Sequence, residues 1–219
     1  MSLMARDSRT DSAFELCPEG TFPAVCTTII DYGHQKSQFL DKDGNQKIQE
    51  KVRIEWDVFH SDNPIDAPAV VGKEYTASLD ARATLRRDLE AWRGKAFTDE
   101  ELQGFYLGKL VGVPCILTIA HTEPNDKGNV YANIKSIGGL VRGMTPPQPF
   151  HETVVFDIEK SDCAMVEKFA PFIRDRIKAA EEWAHKQGAE KLANNAEGNF
   201  TGVPADMVPL GDEDGPLPF

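Results

Sequence analysis

The chain has no long apolar run. None approaches the ~18 residues that a membrane-spanning helix needs. Residues 1–12 are polar and carry Arg6, Asp7, Arg9 and Asp11 where a secretory signal would be apolar. Cysteine is scarce: four residues, at 17, 26, 115 and 163. No Cys-x-x-Cys occurs and no Cys/His cluster has zinc spacing, which excludes a zinc ribbon and a disulfide-dense scaffold. Cys26 and Cys115 fall in apolar, strand-like runs, so the thiols read as buried and reduced, as in a cytoplasmic protein. Catalytic signatures are missing too. Gly-Lys pairs stand at 72–73, 94–95 and 108–109, but none continues to Ser or Thr as a phosphate loop requires. His151-Glu152 has no second His at 155, no Gly-x-Ser-x-Gly elbow occurs, and no carboxylate stands two residues before a Lys. The expectation is a protein that is no enzyme and holds no cofactor or metal.

An excess of positive charge is also lacking. Lys and Arg number 24 against 35 Asp and Glu, a net charge of −11. The distribution is uneven, however. Residues 20–145 hold 15 basic and 17 acidic side chains. Residues 188–219 hold Lys191 against Glu190, Glu197, Asp206, Asp212, Glu213 and Asp214. A nearly neutral body can present a basic face, whereas the tail is acid and rich in Gly, Asn, Ala and Pro, the composition of a disordered segment.

What is present is alternation. Val52, Ile54, Trp56 and Val58 interleave with Lys51, Arg53, Glu55 and Asp57, the period of a half-buried strand over 47–59. β-Branched residues over 21–31 predict a preceding strand, and the polar stretch 35–46, with an Asp43-Gly44-Asn45 turn, reads as a long hairpin connection. Residues 70–79 form a third strand. The period then changes: Leu85, Leu89 and Trp92 recur at helical spacing, with Gly94 as the stop. Thr98 followed by acidic residues caps a second short helix. Strands over 115–121 and 130–140 follow, joined by a turn at 124–129. Three strands, a helix and two strands is the element order of an OB fold, a five-stranded Greek-key barrel. Beyond Pro146, Pro147 and Pro149, residues 153–158 read as one more strand. Residues 162–187 read as a helix of about seven turns that Pro171 kinks or divides, packing on the barrel or mediating self-association. The expected organisation is a flexible arm (1–17), the barrel (18–145), a strand and helix extension (146–187) and a disordered acidic tail (188–219).

The chain ends in Gly211-Asp212-Glu213-Asp214-Gly215-Pro216-Leu217-Pro218-Phe219. An aromatic side chain, a terminal carboxylate and an acidic cluster on a flexible linker suit a basic-rimmed apolar pocket on another protein. This ending resembles the C-terminal tip of bacterial single-stranded DNA-binding proteins, although residues 215–217 separate the acids from the final Pro-Phe. A second resemblance spans about residues 18–140. The opening Pro18-Glu19-Gly20-Thr21-Phe22-Pro23-Ala24 and the run Leu85-Arg86-Arg87-Asp88-Leu89-Glu90-Ala91-Trp92-Arg93-Gly94 look like phage and prophage proteins associated with OB-fold single-strand binding. The resemblance implies a host-cytoplasmic protein that coats single-stranded DNA during replication and recombination. It also implies that Asp212, Glu213, Asp214, Pro218 and Phe219 recruit partner proteins.

Single strands need a basic groove and aromatic faces. In OB folds, strands 2–3 and the loops joining strands 1–2 and 4–5 supply them. The candidates on those elements are Lys36, Phe39, Lys42, Lys47, Lys51, Arg53, Lys73, Tyr75, Lys127 and Tyr131. Trp56 shares the parity of the apolar positions and reads as core. Tyr75 and Tyr131 are open between core and stacking platform, and Arg86, Arg87 and Arg93 between DNA contact and surface pairing. The rival reading is an OB-type adaptor that binds only proteins, favoured by the net acidity. A homodimer and a preference for RNA stay open.

Overall fold

The computed structural model describes residues 16–40, 43–61 and 67–188. Lys42, the arm over 1–15 and the acidic tail with its Pro-Phe tip lie outside the described residues. The molecule is mainly β: a curled antiparallel sheet, half closed into a barrel, with several helices around it. In chain order the sheet strands are β1 (Gly20–Leu40), β2 (Gln46–Val58), β3 (Ala69–Thr76), β4 (Pro114–His121) and β5 (Ala132–Gly138). They lie side by side as β3-β2-β1-β4-β5. All four neighbouring pairs are antiparallel. The outer strands β3 and β5 approach within 8 Å of each other.

β1 is the spine. It continues to Leu40, so residues 35–40 are strand and not the expected loop. Their polar side chains hide this from a pattern reading, but cross-strand partners in β2 hold them: Gln35 faces Gln49 and Lys36 faces Ile48. At its start, Gly20 to Val25 pairs with β4 on one side, and Ala24 onward pairs with β2 on the other. A register shift between Cys26 and Thr28 turns the strand. Before it, Ala24 and Cys26 point into the main core; beyond it, Ile29 still does, whereas Ile30 and Tyr32 face outward into a second core.

The main core lies inside the curled sheet. Val52, Ile54, Trp56 and Val58 fill it from β2, Leu117 and Ile119 from β4. One end is plugged by helix α1 (Thr84–Arg93), whose buried face is Leu85, Asp88, Leu89 and Trp92. The Trp92 indole N–H donates to the Pro114 carbonyl at 2.9 Å, and its ring lies 5.9 Å from that of Trp56. Gly94 ends α1 in the left-handed region, at φ 67°, as the sequence suggested. Helix α2 (Asp99–Gln103) starts with a capping box in which Thr98 and Glu101 satisfy each other's backbone N–H.

The second core lies on the outer face of β1. Strand β6 (Val154–Phe156) pairs in parallel with Thr28 to Ile30, beyond the end of β4. The expected single helix over 162–187 is instead three pieces: a 3₁₀ turn (Cys163–Lys168), α3 (Pro171–Lys178) and α4 (181–188). Pro171 starts α3 and does not kink a longer helix, because the first helical position needs no N–H donor. Phe156, Ile158, Val166, Ile173, Ile177 and Trp183 close over Ile30 and Tyr32. Fully burying each such side chain contributes about 1.5–3 kcal/mol. Buried Gln35 joins the layers, donating to the carbonyls of Tyr32 (2.6 Å) and Arg176 (2.9 Å).

Helix α4 is tied to β1 by an ion pair between His34 and Glu182, which also accepts the His34 backbone N–H at 3.1 Å. Glu182, with Glu50 and Glu181 nearby, raises the His34 pKa above 6.5. Burial disfavours the charged Glu182, but its hydrogen bonds outweigh this and hold its pKa below 4.5. The His34 contribution is therefore complete below pH 6.5 and is lost as pH rises through the raised value. That of Glu182 is complete above pH 4.5 and is lost as pH falls through the lowered value. Amide exchange in 181–188 should be slowest between pH 4.5 and 6.5, after correction for intrinsic rates. His34→Ala should abolish the loosening on the alkaline side; an unchanged alkaline profile in that variant would discount the ion pair.

Candidate nucleic-acid interface

Two hairpins carry the exposed candidates. The distal part of the β1–β2 ladder presents Lys36 and Lys47 with Phe39, Leu40 and Ile48, and Phe39 is 77% exposed. The β4–β5 turn is built by Asn125, whose side-chain oxygen accepts the N–H groups of Lys127 and Asn129, both at 3.0 Å. Gly128, at φ 76°, completes it. Tyr131 and Thr122 exchange hydrogen bonds at 2.9 and 3.0 Å. This holds Lys127 and a 52% exposed Tyr131 near the tip.

The candidates on the sheet itself are engaged. Lys51 donates to the Thr76 hydroxyl at 2.9 Å. Arg53 pairs with Glu55 at 2.7 Å, and its guanidinium lies 5.0 Å from the centre of the Phe172 ring. Lys73 pairs with Asp88 of α1 at 2.7 Å. Tyr75 offers no stacking face: it is 4% exposed, and its hydroxyl donates to the same carboxylate at 3.1 Å. Burial, and then Asp88, push its pKa up. Strand alternation alone puts Lys73 and Tyr75 on the inward side of β3. There they meet α1, which no local pattern reveals. On α1, Arg86 pairs with Glu90, and Arg93 binds Glu101 and covers the Phe97 ring at 4.4 Å. Arg87 keeps a largely exposed side chain.

Sequence reasoning missed one constellation on the outward side of β2. Asp57 is fully buried there, and its carboxylate accepts the backbone N–H groups of Phe150 (2.8 Å) and His151 (3.0 Å). His151 Nδ1 lies 2.7 Å from the other carboxylate oxygen. The loop is thereby pinned to the sheet while the Phe150 ring stands 61% exposed, edge-on to His151. Four residues back on β2, Arg53 holds Phe172, itself 54% exposed. The only sequence signal was a charged residue at the end of a strongly apolar strand. Next to the pinned loop, a cleft of about 440 Å³ has Thr28, Glu55, Glu152, Lys168 and Phe169 among its lining residues.

Burial pushes the Cys26 thiol up to about 12, and Cys115 upward as well, so neither is a nucleophile at neutral pH. Among the described residues no group of three or more His, Cys, Asp or Glu side chains could hold a metal ion, and no helix is long and apolar enough to cross a membrane. No protein-family model, curated protein or solved structure matches this chain.

Proposed function

We propose that the curled sheet is an OB-type barrel and that the protein coats single-stranded DNA with little sequence preference during phage replication and recombination. The observation that carries this reading is the strand arrangement. β1 pairs with both β2 and β4, β3 lies close to β5, and the helix between β3 and β4 plugs one end. Both hairpins that flank the binding side of such barrels bear exposed lysines and an exposed aromatic ring. Oligo-dT should therefore bind tightly and duplex DNA weakly. With about four phosphates contacted, raising salt from about 50 to about 200 mM should weaken binding roughly 50-fold. Lys36, Lys47 and Lys127 changed together to Ala should lower affinity and flatten that salt slope without unfolding the sheet, since all three are exposed. No binding at low salt sinks the reading.

The adaptor reading draws on a specific observation. Arg53, Lys73, Arg86, Arg93 and Arg176 are all paired with carboxylates, which removes five cations of the sheet and helices from those free to meet phosphates. The same oligo-dT titration separates the two.

The acidic end, Asp212, Glu213, Asp214, Pro218 and Phe219, is proposed on its sequence alone to recruit replication or recombination proteins. Phe219→Ala should remove most partner recovery in a pull-down from host extract, because one apolar anchor in a pocket dominates small interfaces. It should leave oligo-dT affinity unchanged. Equal recovery by parent and variant would reduce the tail to a solubilising segment.

A further inference from the structure

The outward face of β2 has a regularity that the hairpins do not explain. Two of its outward side chains, Arg53 and Asp57, each fix one phenylalanine that comes from far along the chain and stays exposed. Asp57 does so through two backbone hydrogen bonds to the Phe150–His151 loop, and it is itself fully buried. Burying a carboxylate is costly unless it is hydrogen-bonded, so the loop is held in one conformation. Arg53 lies across Gly72 of β3, where a Cβ would overlap its guanidinium, and Phe172 covers it. A large apolar ring left half in water gains little by packing. Two of them, each backed by a charged group of the same strand, form a prepared surface.

We infer that Phe150 and Phe172 are two base-stacking platforms for single-stranded DNA, supplied to the sheet by the segment that follows it. This rests on the single-strand reading above and deepens it: the aromatic faces sought at Tyr75 are provided here instead. The two rings are anchored at separate points of β2, whose Arg53 and Asp57 backbones lie about 13 Å apart along the strand. Glu55 and Glu152 line the cleft beside the pinned loop. Lys168 lines the same cleft and Glu55 is paired with Arg53, so what the two rings add is an uncharged stacking face on a surface of mixed charge. The platforms therefore contribute to affinity without contributing to its salt dependence.

The test is a titration of fluorescent oligo-dT with the parent, Phe150→Ala, Phe172→Ala and Phe150→Tyr, at two salt concentrations. Each Ala variant should lose roughly 5- to 150-fold in affinity, from ~1–3 kcal/mol per stacked base, with the salt slope unchanged. Phe150→Tyr should bind as the parent does. Oligonucleotides carrying 5-bromouracil should photo-crosslink to the peptides that contain Phe150 and Phe172. If the parent binds while both Ala variants match it and no crosslink maps to either peptide, the platforms are refuted and the single-strand reading survives. If the parent fails to bind, that reading falls and the platforms fall with it.

Discussion

Trp56→Ala should destabilise the fold by about 3–5 kcal/mol, the range for truncating a large aromatic ring in a core. Trp56 is fully buried near the end of β2, between Cys26 of β1 and Val71 of β3, against the Trp92 ring of α1. The void would open where the sheet meets its plug, and the sheet cannot close over it without breaking ladder hydrogen bonds. Trp56→Phe should cost much less. The Trp56 indole N–H finds no hydrogen-bond acceptor among the described residues, so removing it sacrifices no bond. Urea unfolding of the parent and both variants reads this directly. If Ala and Phe prove equally damaging, ring volume is not what Trp56 contributes.

The second large effect belongs to Asp57. Asp57→Ala should cost about 3 kcal/mol, because it strands two backbone donors and the His151 ring beside a buried site. Asp57→Asn keeps one acceptor oxygen and should cost roughly half as much. The damage should be local: amide exchange should accelerate at Phe150 and His151 while the centre of β2 stays protected. Uniform acceleration throughout the sheet would show that Asp57 supports the sheet as a whole and not the loop.

These residues mark how far the sequence could be read. The alternation around Trp56 gave β2, and the helical spacing of Leu85, Leu89 and Trp92 gave α1, because in both the local period coincides with burial. Asp57 belongs to the same alternation and read as one more solvated charge. Its burial depends on a loop some ninety residues downstream. Lys73 read as a candidate DNA contact and Tyr75 stayed open between core and platform for a related reason: Asp88 reaches them only once α1 has docked. The polar end of β1 looked like a connection because its strand character comes from pairing with β2 and not from its own side chains. Pro171 was expected to kink or divide one helix; of the two it divides, starting α3 after a separate 3₁₀ turn.

The parallel pairing of β6 with the middle of β1 has a consequence for how the chain is made. On the ribosome β1 is complete long before Val154 to Phe156 emerge, so the edge at Thr28 to Ile30 waits unpaired with Ile30 and Tyr32 bare beside it. An unpaired apolar strand edge is a template for a neighbouring chain. The nascent protein is thus prone to aggregate in the interval between finishing β5 of the curled sheet and acquiring its last strand. Fragments that stop near residue 146 would keep that vulnerability permanently.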